Sequence, residues 1–124
     1  MQFFDNKDIS NLDKIYRINL INSCSGFKSA NLLGSISANG IPNVAIFSSV
    51  THLGSSPPTL GFILRPTTVP RDTYKNIKEF GVFTINHIWE DVIEDAHHTS
   101  AKYPEKISEF DMTDLESEFK GKFK

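Results

Sequence analysis

Cysteine is nearly absent from this 124-residue chain: Cys24 stands alone, so no internal disulfide framework is available and the fold depends on a packed core. Long hydrophobic runs are lacking as well. Asn, Ser, Gly or Pro interrupts every apolar stretch well short of the length a bilayer crossing needs, which excludes a membrane-spanning helix. Nor does one sign of charge prevail. The 13 Lys and Arg are interspersed with 15 Asp and Glu for a formal net charge of -2, so there is no electrostatic footprint for nucleic acid, although a small anionic ligand remains compatible. No basic segment followed by an apolar run opens the chain, and with the single cysteine this leads us to expect a cytoplasmic protein. Internal repeats and low-complexity tracts are also missing. What is present, 39% hydrophobic and 23% charged residues, suits one domain over residues 1–124 with a single core.

The pattern along the chain is strand-rich, then helical. Apolar residues at near-helical spacing, among them Leu12, Ile15 and Tyr16, predict a helix over Ser10 to Asn22. Ala30 to Ser37 and Ile41 to Val50 read as two strands joined through Ala38, Asn39 and Gly40, where Asn followed by Gly is expected to supply the positive φ values of a tight hairpin. After Pro57 and Pro58, a third strand is expected over Thr59 to Arg65, with Leu60, Phe62 and Leu64 on one face and Pro66 ending it. A helix from Asp72 to Phe80 closes on Gly81, and Val82 to Ile88 returns to an extended pattern. Trp89 to His98 and Asp111 to Phe119 are predicted as short helices, with Tyr103 and Pro104 in the loop between them.

The start of the 72–80 helix is the stretch richest in chemistry. Pro70 has a φ already suited to a first turn, and Asp72 or Thr73 is expected to cap its free amides. An anion there would meet the positive end of the helix dipole, the Arg71 guanidinium and the Thr73 hydroxyl, with Asn76 one turn further on. An ordinary capped surface helix would carry the same residues. His97, His98, Thr99 and Ser100 form a second polar cluster; adjacent histidines cannot share one helix face, which argues against a helical metal site, and no metal is expected. No CxxC partner accompanies Cys24, and Trp89 and the phenylalanines read as core or interface residues.

Taken in order, SANLLGS, NGIPNVAIFSSV, SSPPTLGFILRP, RDTYKNI, FTINHI and SAKYPEKISEF resemble the flavin reductase-like family, whose members bind FMN in a split β-barrel. The combination of AIFSSV, PP, RDTxxN and SEF carries the resemblance, from Ser29 to Phe110. It implies a mainly β fold with α additions, namely an FMN-binding split β-barrel, and a homodimer holding the flavin near its interface. Carried over by position, Phe47, Ser48, Ser49 and Val50 form a strand end against the flavin ring and ribityl chain. Arg65 lies near the cofactor or points into solvent, Arg71 and Thr73 hold the phosphate, Asn76 bonds the same ligand or its loop, and Ser100 approaches the flavin side of the barrel. Family members continue beyond SEF through further strands, so the resemblance implies a barrel incomplete at its C-terminus.

The implied activity is hydride transfer from a nicotinamide cosubstrate, NADH or NADPH, to flavin. Because the cofactor performs the electronic work, no nucleophile with its base, acid–base pair or metal cluster is required among the side chains. A non-catalytic FMN-binding or electron-transfer module, or an inactive truncated homologue, would share these features.

Overall fold

In a computed structural model that describes residues 3–66, 68–104 and 106–119, the organising element is a hairpin. Its strands β1 (Asn31–Ile36) and β2 (Pro42–Phe47) pair antiparallel with Asn31 opposite Phe47, Leu33 opposite Ala45 and Ser35 opposite Asn43. The Ser37 carbonyl accepts from the Gly40 amide at 2.9 Å, and Ser37 donates to the Ile41 carbonyl at 3.0 Å. Gly40 has φ +77° and no described non-glycine residue has positive φ, so Asn39 does not share the left-handed role expected of it. The cause is loop length: three residues separate Ser37 from Ile41, and such loops close on one left-handed glycine. Strand β5 (Thr84–His87) pairs with the other side of β1, giving the sheet order β2-β1-β5.

Alternation along β1 and β2 divides the sheet into two faces. Leu32 and Val44, with Ala96 and the half-buried Ile46, Ile88, Phe110 and Leu115, build the core on one of them. The opposite face, bearing Leu33, Ser35, Asn43 and Ala45, receives helix α3 (Asp72–Phe80) through its buried Thr73 and Asn76. Gly81 ends α3 at φ +70°, its amide bonded to the Ile77 carbonyl at 2.8 Å, as the sequence predicts.

A second, two-stranded sheet consists of β3 (Thr51–Ser55) and β4 (Pro58–Gly61). The expected strand over Thr59 to Arg65 therefore starts and stops earlier, and residues 62–66 have no regular structure. Strand β3 supplies a ladder only as far as Gly61. Beyond it the chain is held by a side chain: the Ser49 hydroxyl accepts from the Ile63 amide at 3.0 Å and donates to the Ile63 carbonyl at 3.1 Å. The turn this makes seats Phe62 edge-to-face between Phe47 at 5.4 Å and Phe83 at 5.1 Å.

Two other helical expectations are corrected. Asp13 accepts from the amides of Ile15 and Tyr16, so it starts a new helix and splits the predicted 10–22 segment into α1 (Asn6–Asn11) and α2 (Lys14–Ser23). The helix expected over Asp111 to Phe119 is replaced by a 3-10 turn, Glu109–Met112, because Ser108 and Asp111 cap each other and Asp95 draws the Asp114 amide aside at 3.3 Å. Within the predicted 89–98 helix, a 3-10 turn over Glu90–Val92 leads into α4 (Ile93–His98).

Candidate functional site

The first turn of α3 borders a hollow of about 420 Å³ lined by Thr68, Val69, Pro70, Arg71, Asp72, Tyr74 and Lys75. Arg71, not Asp72 or Thr73, is the N-cap, with extended backbone and no side-chain hydrogen bond to the turn. Helices α1 and α2, by contrast, are capped by the carboxylates of Asp5 and Asp13. Among the described residues, no side chain accepts from the amides at the start of α3, which lie beside the half-buried Arg71, whose Nε donates to the Pro66 carbonyl at 3.4 Å.

Thr73 and Asn76 do not border that hollow with their neighbours. Both are buried and face the sheet: Thr73 Oγ1 accepts from Asn43 Nδ2 at 3.0 Å, and Asn76 Nδ2 donates to Ser35 Oγ at 3.1 Å. Asn43 and Ser35 drew no attention in the sequence, where they read as ordinary strand residues. The signal that could have found them is two polar residues on the same inward face as Leu33 and Ala45.

Segment 62–66 links the end of β2 to the start of α3. Phe47 packs on Phe62, Ser49 bonds Ile63, and Arg71 bonds Pro66, so Phe47, Ser49, Arg65 and Arg71 are arranged along one stretch of chain. Ser48 and Arg65 are exposed there, and Val50 is half-buried. Ser100 stands apart: it follows α4, which packs through Ala96 on the sheet face opposite α3. His97 and His98 are exposed, while Thr99 is buried with its hydroxyl donating to the Ala96 carbonyl at 2.8 Å. Among the described residues, no three His, Cys, Asp or Glu side chains gather closely enough for a metal.

One acid was also missed. Glu109, in the SEF segment, accepts from the Val44 amide at 3.2 Å while Ser108 Oγ donates to the Pro42 carbonyl at 2.6 Å, so the segment covers the outer edge of β2. Burial pushes the Glu109 carboxyl above the usual glutamate range, hydrogen bonds from its own amide and that of Val44 pull it back, and the Asp72 charge raises it further.

Residues 27–123 match the family model described as the flavin reductase like domain. The chain belongs to that family. A flavin reductase-like relative among solved structures, a candidate flavin reductase with split barrel domain from Shewanella frigidimarina NCIMB 400, is 45% identical with a TM-score of 0.92, over 99% of this chain and 61% of that one. The flavoredoxin of Desulfovibrio vulgaris (Miyazaki F) is 25% identical with a TM-score of 0.60, over 67% of this chain and 44% of that one. An uncharacterized protein of Aquifex aeolicus (strain VF5) is 31% identical over 88 residues, 69% of this chain and 45% of the relative. The chain accordingly spans about half to three-fifths of the length of these relatives. The fold is a mainly β split barrel with added helices; the described residues contribute five strands in two sheets without closing a ring.

For a chain of the flavin reductase like domain family, the donor set at α3 fits a flavin that carries a phosphate. Uncapped amides and a guanidinium complement an anion, while the adjoining Phe47 to Val50 strand end offers apolar surface and the exposed Ser48 hydroxyl.

Proposed function

We propose that this chain binds FMN and works as a flavin reductase-like oxidoreductase, drawing electrons from NADH or NADPH, as a cytoplasmic homodimer. The observation that carries this reading is the uncapped, Arg71-flanked first turn of α3 opening onto a hollow in a flavin reductase-like chain. Bound FMN supplies a ring able to accept a hydride from a nicotinamide. The residues do the binding and orienting. Arg71 and the first-turn amides of α3 hold the phosphate, Arg65 adds positive charge nearby, and Phe47, Ser48 and Val50 form the wall beside the ring. Ser49, Thr73 and Asn76 serve by fixing the backbone around them, and Ser100 has no assigned contact.

Homodimer formation is supported by the apolar surface of the β3–β4 arm and the segment after it, where Leu53, Leu60 and Ile63 are exposed. Inorganic phosphate should compete with FMN, and steady oxidation of NADH or NADPH should require added flavin or a further acceptor. FMN binding unaffected by high concentrations of phosphate would reject the α3 site. The likeness to the flavoredoxin favours a second reading, an electron-transfer module that binds FMN without sustained nicotinamide turnover. Steady-state oxidation with several acceptors separates the two.

A further inference from the structure

Beneath α3 the sheet presents polar groups where packing alone would call for apolar ones. Ser35 and Asn43 are register partners across β1 and β2, while Thr73 and Asn76 lie three residues apart on α3. A cross-strand pair therefore meets a helical pair. Asn43 Nδ2 donates to Ser35 Oγ at 3.2 Å and to Thr73 Oγ1 at 3.0 Å, and Asn76 Nδ2 reaches the same Ser35 oxygen at 3.1 Å. Asn43, Thr73 and Asn76 are 7%, 5% and 2% exposed.

Burying amides and hydroxyls is costly unless they are bonded, and apolar side chains could attach a helix to a sheet at least as firmly. What the hydrogen bonds add is direction. An apolar contact tolerates sliding and rotation, whereas a donor aimed at one oxygen at about 3 Å does not. Thr73 is the second residue of α3, so the network grips the first turn, and the Thr73 amide is itself among the groups at the helix start.

We propose that Asn43 is a positioning residue for the phosphate of FMN: by tying Thr73 to the β1–β2 pair it fixes the rotation of the first turn of α3. This inference rests on reading that turn as the phosphate site. It also reassigns Thr73 and Asn76, whose side chains act on the sheet and not on the ligand. Because the network acts through the phosphate, its loss weakens binding of FMN but not of riboflavin, which has the same ring and ribityl chain without the phosphate. A network serving only the stability of the fold would leave the ratio of the two affinities unchanged.

The test is fluorescence titration of FMN and riboflavin in phosphate-free buffer against the unaltered chain and the variants Asn43→Ala, Thr73→Val and Thr73→Ser, with circular dichroism establishing that each is folded. Asn43→Ala and Thr73→Val should lose roughly tenfold in FMN affinity, on the order of one misdirected charged hydrogen bond, with riboflavin unmoved. Thr73→Ser keeps the accepting oxygen and should retain the original ratio. Folded variants that keep the unaltered chain's preference for FMN would overturn the role of Asn43 while leaving the phosphate site standing. No preference for FMN in the unaltered chain would overturn the phosphate site and the inference with it. If Asn43→Ala does not fold, the near-isosteric Thr73→Val carries the decision.

Discussion

In the proposed phosphate site, anion recognition turns on Arg71, which combines a fixed charge with the N-cap position of α3, a cap that no side chain closes among the described residues. Arg71→Ala should weaken FMN binding by roughly 1.5 to 3 kcal/mol, the range for a lost hydrogen bond to a charged group, as read by calorimetric titration. Glu109 governs a different property. Its carboxyl titrates above the usual range in the folded chain, chiefly through burial, so its favourable share of stability is complete below the unfolded glutamate pKa and is lost as pH rises through the raised folded value. Glu109→Gln keeps an oxygen for the Val44 amide and removes the charge. Its melting temperature should gain on the unaltered chain as pH climbs through that interval and hold a constant lead above it; a lead that does not vary with pH would contradict the burial account. The place of Arg71 beside a helix start was legible in the sequence, because Pro70 and the residues that follow mark that start locally. Asn43 and Ser35 were not, since their importance comes from facing Thr73 and Asn76 across a packing interface that local pattern does not reveal.

Elements whose limits are set by their own residues were read correctly. Helix α3 runs from Asp72 to Phe80 and stops where Gly81 takes a left-handed conformation, a local event with a local signature. Gly81→Ala meets open space, so its cost is conformational, about 1 kcal/mol by chemical denaturation. Gly34→Ala should cost more, because a Cβ there would lie 2.7 Å from Thr84 Oγ1 in the middle of the β2-β1-β5 sheet. The β3–β4 arm was misread for the opposite reason. Thr51–Ser55 becomes a strand only because Pro58–Gly61 folds back on it, and the chain beyond is fixed by Ser49, a contact 14 residues distant. Ser49→Ala should destabilise the chain by about 1 kcal/mol and speed amide exchange at Ile63 and through the arm. Unchanged exchange there would show that the aromatic contacts of Phe62 suffice. Asp13 likewise had the residue type of a cap, yet its position inside an apolar periodicity concealed the break between α1 and α2.

For the molecule as a whole, the ordered motifs identify the family more readily than the periodicities define its architecture. The buried apolar residues among those described are Leu32, Leu33, Val44 and Ala96, whereas Ile15, Ile18 and Ile21 of α2 and Leu53 and Leu60 of the arm are exposed. That distribution favours association, and light scattering coupled to gel filtration should report a dimer. The central claim, however, is that the sheet, segment 62–66 and α3 together form a flavin site. Equilibrium titration of FMN against the purified chain, followed by quenching of flavin fluorescence, tests it most directly. The account predicts saturable binding at one flavin per chain that free phosphate reverses; a folded chain that fails to quench FMN at any concentration would contradict it.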